Sequence, residues 1–513
     1  MPVVEITSRL PFRCEDVAAW LARPGTTTRL MPPFAGAVLQ EPEGADGDAG
    51  EGAELVLALD VPGLLGTSAT AAAGLLRLAT GAAPPTRTSW RLRRHRGSDG
   101  GFVDVMDEGP MRSWRRDVRI GDDGAGTRIE ETIAYQLPAA ERIPRALRVR
   151  LHRIIEGELR RQAAFRDHQA AADLAFHAQH SRLPAQQDAD PGSDRPAGPR
   201  VVAVSGASGM IGTQVCALLS GAGLEVRRLV RRSSPDGRDD EIPWDPTADE
   251  LAAEAFDDVD AVVHLAGHPL AGRFTAEHKR RIEQSRVEGT RLVARRIAEA
   301  EQRAPRPDGP RALISGSAIG WYGATAADRP HEHDLLTEDL PAGADFLAGV
   351  CRRWEQEAEQ AAAAGVRVAT VRTGIVQSPT GGALAQLLPL VAAGVGGRLG
   401  DQQVQSWISL DDVAALIVHL VLTPQAAGPV NAVAPAPVTA RRYARILADV
   451  LHRPAAVPVP SFGPRLLLGS EGAREMALAD QRVSAARAEE LGHAFRHRAL
   501  DEALHHVLGR RTA

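Results

Sequence analysis

Lysine is almost missing from this chain. Of 60 Lys and Arg residues in 513 positions, a single one, Lys279, is lysine. No Tyr-x-x-x-Lys spacing exists anywhere, so a proton relay built on that pair is excluded. Tyrosine is as scarce: Tyr135, Tyr322 and Tyr443 are the full set. Cys14, Cys216 and Cys351 stand far apart and odd in number, with no CxxC or Cys/His spacing. They give no sign of a zinc site, no metal is expected, and the pattern fits a reducing cytoplasm. No window offers ~18 uninterrupted apolar residues, which argues against a membrane span. The longest candidate, Leu410–Leu422, contains Asp411, Asp412 and His419. The start, MPVVEITSRLPF, lacks a basic region followed by an apolar core, so no signal peptide is expected. A net charge of −5 gives no electrostatic case for nucleic acid or an anionic membrane. The expectation is a cytoplasmic protein acting on a small molecule, with its oligomeric state left open.

What is present supports packed cores: 44% of residues are hydrophobic. The basic charge is almost all arginine and looks like coding bias, so 91–96 (RLRRHR) reads as a solvated face. The stretch 183–199 is rich in Pro, Gly, Asp and Ser without apolar periodicity and reads as a linker. Before it, strand candidates lie at 3–10, 90–95, 102–106, 114–120 and 128–135, with a short helix at 14–22. In 128–135, Ile129, Ile133 and Tyr135 face one way, interrupted by Glu131. Leu147, Leu151, Ile154, Ile155 and Leu159 then recur at helical spacing, which predicts one long amphipathic helix over 146–178. This order predicts an α+β domain over 1–182, and it resembles the helix-grip domains of the START/polyketide-cyclase (SRPBCC) superfamily. That resemblance implies a hydrophobic ligand held between sheet and helix, with the apolar segment 61–83 as a lid.

After the linker, strand and helix signals alternate: strands at 200–206, 224–230, 260–267, 312–317 and 366–372, helices from Met210 and over 275–300 and 345–364. This predicts an α/β doubly wound parallel sheet, a Rossmann fold, over 200–450. The segment 205–213, SGASGMIGT, carries Gly206, Gly209 and Gly212 between the first strand and its helix. Gly206 allows a tight turn, Gly209 lets backbone approach a pyrophosphate, and Gly212 lets helix and strand pack closely. The loop Gly206, Ser208, Gly209, Met210, Ile211 and Gly212 is therefore the expected dinucleotide site. At the end of the second strand, where an NAD site places Asp or Glu, stand Arg231 and Arg232. Arginine pairs with a 2′-phosphate, so NADP is expected ahead of NAD.

The motifs SGASGMIG, HLAGHPLAGRF, SRVEGTRLV, SGSAIGWYG, CRRWEQEA, RTGIVQSPTGGAL and WISLDDVA occur in an order that resembles an atypical branch of the extended short-chain dehydrogenase/reductases, the sugar-nucleotide epimerase-like branch. Its terminal domain of unknown function is matched over 451–513. The resemblance implies cofactor contacts from Leu265, Ala266 and Gly267, from Arg286 toward the phosphates, and from Ile375 beside the nicotinamide. It implies Ser317 as the group that bonds a substrate oxygen. The usual tyrosine and lysine positions fall near Leu347 and Cys351, which cannot act. Tyr322, tuned by Arg286 or by the cofactor, is the candidate acid; His268 is an alternative, and Cys351 reads as a small buried side chain. The expected function is an NADP-dependent oxidoreductase or epimerase-like protein without Tyr-x-x-x-Lys. The rival is a non-catalytic NADP-binding sensor or scaffold.

Overall fold

The computed structural model describes residues 1–43, 51–60, 87–97, 100–138, 144–183, 198–232, 238–306, 309–324, 335–392, 402–453 and 468–510. The 61–83 segment and most of the linker lie outside these residues. Period-two alternation in the first half folds into seven strands: β1 (Val3–Leu10), β2 (Gly36–Glu43), β3 (Ala53–Asp60), β4 (Arg87–Arg96), β5 (Phe102–Glu108), β6 (Ser113–Asp122) and β7 (Thr127–Gln136). They pair antiparallel in the order β1-β7-β6-β5-β4-β3-β2. Register shifts at Val38/Gln40 and at Arg91/Leu92 mark bulges, which strengthen the twist of such a sheet. Helices α1 (Cys14–Leu21) and α2 (Thr26–Leu30) connect β1 to β2. The 35-residue α3 (Arg145–Gln179) lies on one face of the sheet. Ile155 packs with Val4, Tyr135 and Leu137, and Ala170 and Leu174 pack with Leu10, Val17 and Trp20.

One expectation is corrected here. In β4, Arg91 and Arg93 are exposed, but Leu92 and Arg94 are buried. A strand turns alternate side chains inward, so an arginine-rich run presents half its members to the interior.

The second half forms an eight-stranded sheet, order β11-β10-β9-β8-β12-β13-β14-β18. Its strands are β8 (Val201–Ser205), β9 (Glu225–Val230), β10 (Glu241–Asp245), β11 (Glu250–Leu251), β12 (Ala261–His264), β13 (Ala312–Ala318), β14 (Arg367–Thr373) and β18 (Gly428–Ala432). Every pair is parallel except β10 with β11. Helices cover both faces, which is why the central strands β8, β12, β13 and β14 are buried along nearly their whole length rather than alternating. On one face α4 (Met210–Gly221) and α8 (Leu410–Leu422) share a core; on the other, α5 (Ala276–Arg303) packs over Val262 and Leu313. Helix α6 (Phe346–Glu359) follows β13, then a 3-10 turn at Gln360–Ala364, so the helix predicted over 345–364 is two pieces. Two small sheets stand apart from it: β15 (Ile375–Gln377) with β17 (Trp407–Ser409), and β16 (Val404–Gln405) with β19 (Val438–Thr439). Helices α7 (Gly382–Ala392), α9 (Ala440–Leu451) and α10 (Leu500–Val507) contribute to a third core. No described helix is long and apolar enough to cross a membrane.

The halves meet through α2, which packs on α4. Gly25, at φ +85°, lies so near that a Cβ there would sit 2.6 Å from the Ala217 backbone. Arg29 donates to both oxygens of Asp173 at 2.9 and 2.8 Å and to Gln214 of α4 at 2.7 Å. It also lies 3.0 Å from Asp411 of α8, and Arg496 lies 2.7 Å from Asp173.

Candidate functional site

Strand β8 ends at Ser205, and Gly206 turns the chain at φ +71°. The Gly209 amide donates to the Gly206 carbonyl at 2.9 Å, and α4 starts at Met210 with no side chain capping it. Such a helix start leaves amides and the positive end of the dipole for an anion. A Cβ on Gly212 would lie 2.1 Å from the Gly206 oxygen, and one on Gly206 would lie 2.9 Å from the Ala266 nitrogen. The loop is thus pressed between its own helix and the end of β12. Ser208 and Gly209 are exposed, while Met210 and Ile211 are half-buried. Beneath the loop, Ser205 Oγ accepts from the Leu265 amide at 3.1 Å and lies 2.7 Å from His264 Nδ1. Burial pulls the His264 imidazole down to about 4, so it is neutral. His264 is a residue that the sequence reading missed.

Gly267 is exposed, and Arg286 of α5 fills the space beside it: a Cβ on Gly267 would meet the guanidinium carbon at 3.2 Å. Arg286 donates to the carbonyls of His268 at 2.9 Å and Ile282 at 3.1 Å and stacks over Trp354 at 5.1 Å. Among the described residues no carboxylate pairs with it, and burial pulls its guanidinium down to about 10. A half-buried cation hydrogen-bonded only to carbonyls among the described residues, next to a glycine turn, is suited to receive an anion.

At the end of β13, Ser317 Oγ donates to Glu355 Oε1 at 2.6 Å. Arg372 of β14 grips Glu355 with two bonds at 3.0 Å and donates to the Tyr322 hydroxyl at 3.2 Å. That hydroxyl donates in turn to Asn431 Oδ1 at 2.8 Å. Burial pushes the Tyr322 phenol up to about 12, against the pull of Arg372. The charge beside Tyr322 is therefore Arg372 rather than the expected Arg286. Arg372, Glu355 and Asn431 belong to none of the anticipated site positions; the available signal was a charged residue inside an apolar strand, which demands a partner.

The remaining candidates separate. Arg231 and Arg232 are exposed just past β9. Ile375 opens β15, half-buried, with its amide donating to Ser406 at 2.9 Å. His268 stacks edge-on with His278, and its amide donates to Ser285 Oγ at 2.8 Å. Leu347 is buried, and Cys351 donates weakly to the Ala318 carbonyl at 3.6 Å, its thiol pushed up to about 12 by burial. Lys279 bonds Glu471 at 2.7 Å and covers Phe346. Among the described residues no cluster of three metal-ligating side chains occurs.

The sequence profile of the NAD dependent epimerase/dehydratase family matches residues 202–433, and a domain of unknown function (DUF1731) matches 459–507. An epimerase family protein of Mycobacterium tuberculosis is 37% identical over 306 residues, 59% of this chain and 96% of the relative. The crystal structure of the nucleoside-diphosphate sugar epimerase of Corynebacterium glutamicum superposes at TM-score 0.71 with 29% identity, over 99% of this chain and 90% of that one. Human epimerase family protein SDR39U1, solved with NADPH, superposes at 0.52 with 27% identity, over 60% of this chain and 99% of that one. With fold, glycine turn and these likenesses in agreement, the chain belongs to the NAD dependent epimerase/dehydratase family.

Proposed function

We propose that the crevice at the carboxyl ends of β8, β12 and β13 binds NADP, and that the protein is an NADP-dependent oxidoreductase or epimerase-like protein acting on a small molecule. The observation that carries this reading is Arg286, a half-buried cation with no carboxylate partner among the described residues, in contact with Gly267 and one strand end away from the glycine turn. The crevice also lies where the strand order reverses, between β8 and β12, the usual ligand position of such sheets. The amides of Gly206, Ser208, Gly209, Met210, Ile211 and Gly212 would hold the pyrophosphate, and Arg286 would add its charge. Leu265, Ala266 and Gly267 would pass the adenosine side. Arg231 and Arg232 would take the 2′-phosphate, and Ile375 would border the nicotinamide. The NADPH in the human relative supports the choice of coenzyme. The coenzyme bound there would supply a hydride as NADPH or accept one as NADP+. Ser317 would then orient the substrate oxygen, its hydroxyl set by Glu355. Tyr322 remains the candidate acid, with Arg372 as the charge that offsets its burial. Residues 1–182 act as a helix-grip module for an apolar ligand, and 451–513 complete the substrate side.

A second reading, a non-catalytic NADP sensor, draws on one observation: the hydroxyls of Ser317 and Tyr322 both donate internally. Calorimetry decides the first point. NADPH should saturate the protein, and Arg286→Met should weaken it about tenfold or more, the worth of a charged hydrogen bond in a buried site. No saturation by either nicotinamide coenzyme overturns the proposal. Nucleoside-diphosphate sugars, the class named for the Corynebacterium protein, are the substrates to screen with NADP by NMR. Binding without conversion there or in metabolite extracts selects the sensor, and full turnover in Tyr322→Phe removes that phenol as the acid.

A further inference from the structure

Between the antiparallel sheet and α3 lies a cavity of about 160 Å³. Most of its wall is apolar, with Leu55, Leu57, Trp90, Trp114 and Leu159 among its residues. One part of the wall is not. Arg94 closes on Asp104 with bonds of 2.7 and 3.0 Å, and the Arg94 guanidinium lies 3.9 Å above the Phe102 ring. Arg116 and Arg166 both donate to the same oxygen of Glu131, at 2.9 and 2.7 Å. Asp167 lines the wall as well, with burial pushing its carboxyl up.

Three guanidiniums bring about fifteen N–H donors to this wall, far more than its carboxylates use. Arg166 shows the shortfall most directly: its Nε is buried and has no partner among the described residues. Burial also pulls its guanidinium down, helped by the neighbouring Arg116 charge, even though Glu131 is beside it. An apolar cavity of about 150 Å³ stays dry and admits a benzene-sized body, whereas a wall with spare donors calls for an acceptor.

We propose that this cavity binds a small amphipathic organic acid, a ring or short alkyl chain of benzene size with its carboxylate against Arg166 and Arg116. This rests on the reading of residues 1–182 as a ligand-binding module and adds the class of ligand. The apolar body takes the Leu and Trp wall. The carboxylate accepts from the guanidinium edges of Arg166 and Arg116 that Glu131 leaves open.

The test uses the full-length protein and fluorine NMR titration with 4-fluorobenzoate, 4-fluorobenzamide and fluorobenzene, which share a body and differ in the head group. The benzoate should bind about tenfold or more tightly than fluorobenzene, as a charged hydrogen bond in a buried site predicts, with the amide between. Arg166→Met should erase that preference and leave fluorobenzene binding in place. Equal affinities for all three probes in the wild type overturn the acid class and leave the ligand cavity standing. Binding of none overturns both. A benzoate preference that survives Arg166→Met assigns the anion to another site and also overturns the inference. The wild-type comparison requires no variant to fold.

Discussion

The two sheets treat buried charge in opposite ways. In the parallel sheet the central strands are largely apolar inside, with Ser315 and Thr370 as buried polar exceptions, and a cluster of buried polar side chains stands at the carboxyl ends: Ser205, His264, Ser317 and Arg372. In the antiparallel sheet the inward face itself carries Arg94, Asp104 and Glu131 among its leucines and tryptophans. Helices on both sides of the parallel sheet leave only its edge for chemistry. A single helix over the antiparallel sheet leaves an interior that the strands can line with ions. Position along a strand locates the buried polar groups in one module, and side-chain parity locates them in the other.

The junction tests whether this division is real in energy. Arg29 and Asp173 are buried at 1% and 0% side-chain exposure, and Arg29 belongs to the first module while its partners reach α4 and α8. Breaking a buried ion pair by removing one partner costs about 3–5 kcal/mol. Arg29→Met should therefore produce the largest loss of stability in urea unfolding, and it should split a single transition into two. A single transition with an unchanged midpoint would mean that the other contacts between the halves, such as the α2–α4 packing and the Gln179–Gly492 and His180–His419 bonds, hold the modules together.

Acid should act on both modules in proportion to their buried histidines. Burial pulls His177 of α3 and His493 down to about 3, and His264 of β12 to about 4. The native state keeps these rings neutral, while the unfolded chain takes up protons below about 6.5. Stability is thus complete above that pH and falls as pH drops toward the folded values, by about 1.4 kcal/mol per unit for each histidine. Asp173, held down to about 2 with Arg29 and Arg496 opposing its burial, loses its contribution only below the ordinary carboxylate range. The expected record is a fall in unfolding free energy between about pH 6.5 and 4, made shallower by His177→Gln. A flat profile there would show that the rings find proton acceptors when charged.

The contrast between the sheets also explains what could be read from sequence. The runs read at 200–206 and 366–372 coincide with β8 and β14 to within a residue or two, because a strand buried on both faces is mostly apolar. The glycine turn was legible for the same reason: three glycines between strand and helix leave few geometries. Strands β2 and β3 were not legible. The former carries Pro42 and Glu43 at an edge, and its bulges break the period of two. Arg94 was misread because composition hides parity. Glu355 and Arg372 are 17 residues apart, and their pairing depends on how α6 lies across β13 and β14, which no local pattern encodes.

Within the parallel module the edge should be separable from the core. Gly212→Ala places a methyl 2.1 Å from the Gly206 oxygen, a backbone atom that cannot swing aside. NADPH affinity should fall about a hundredfold as the turn is displaced, equivalent to about 2.7 kcal/mol, with ligand binding in the first module untouched. Loss of both would show that the turn also supports the junction through α4, and the edge would no longer be a separate unit.

The smallest effect should come from the most exposed members of that edge. Arg231 follows β9 at the surface, where it helps hold the Asp245 carboxyl down after the hydrogen bonds from Thr247. An exposed ion pair is worth about 1 kcal/mol at most, so Arg231→Asp should lower the NADPH to NADH affinity ratio about fivefold rather than invert it. High salt should shrink the wild-type ratio in the same direction, since exposed charges are screened. A ratio unmoved by the substitution but abolished in Arg232→Asp would assign the 2′-phosphate to the second arginine. A ratio unmoved by either would place the discriminating charge inside the crevice, where Arg286 is a half-buried cation with no carboxylate partner among the described residues.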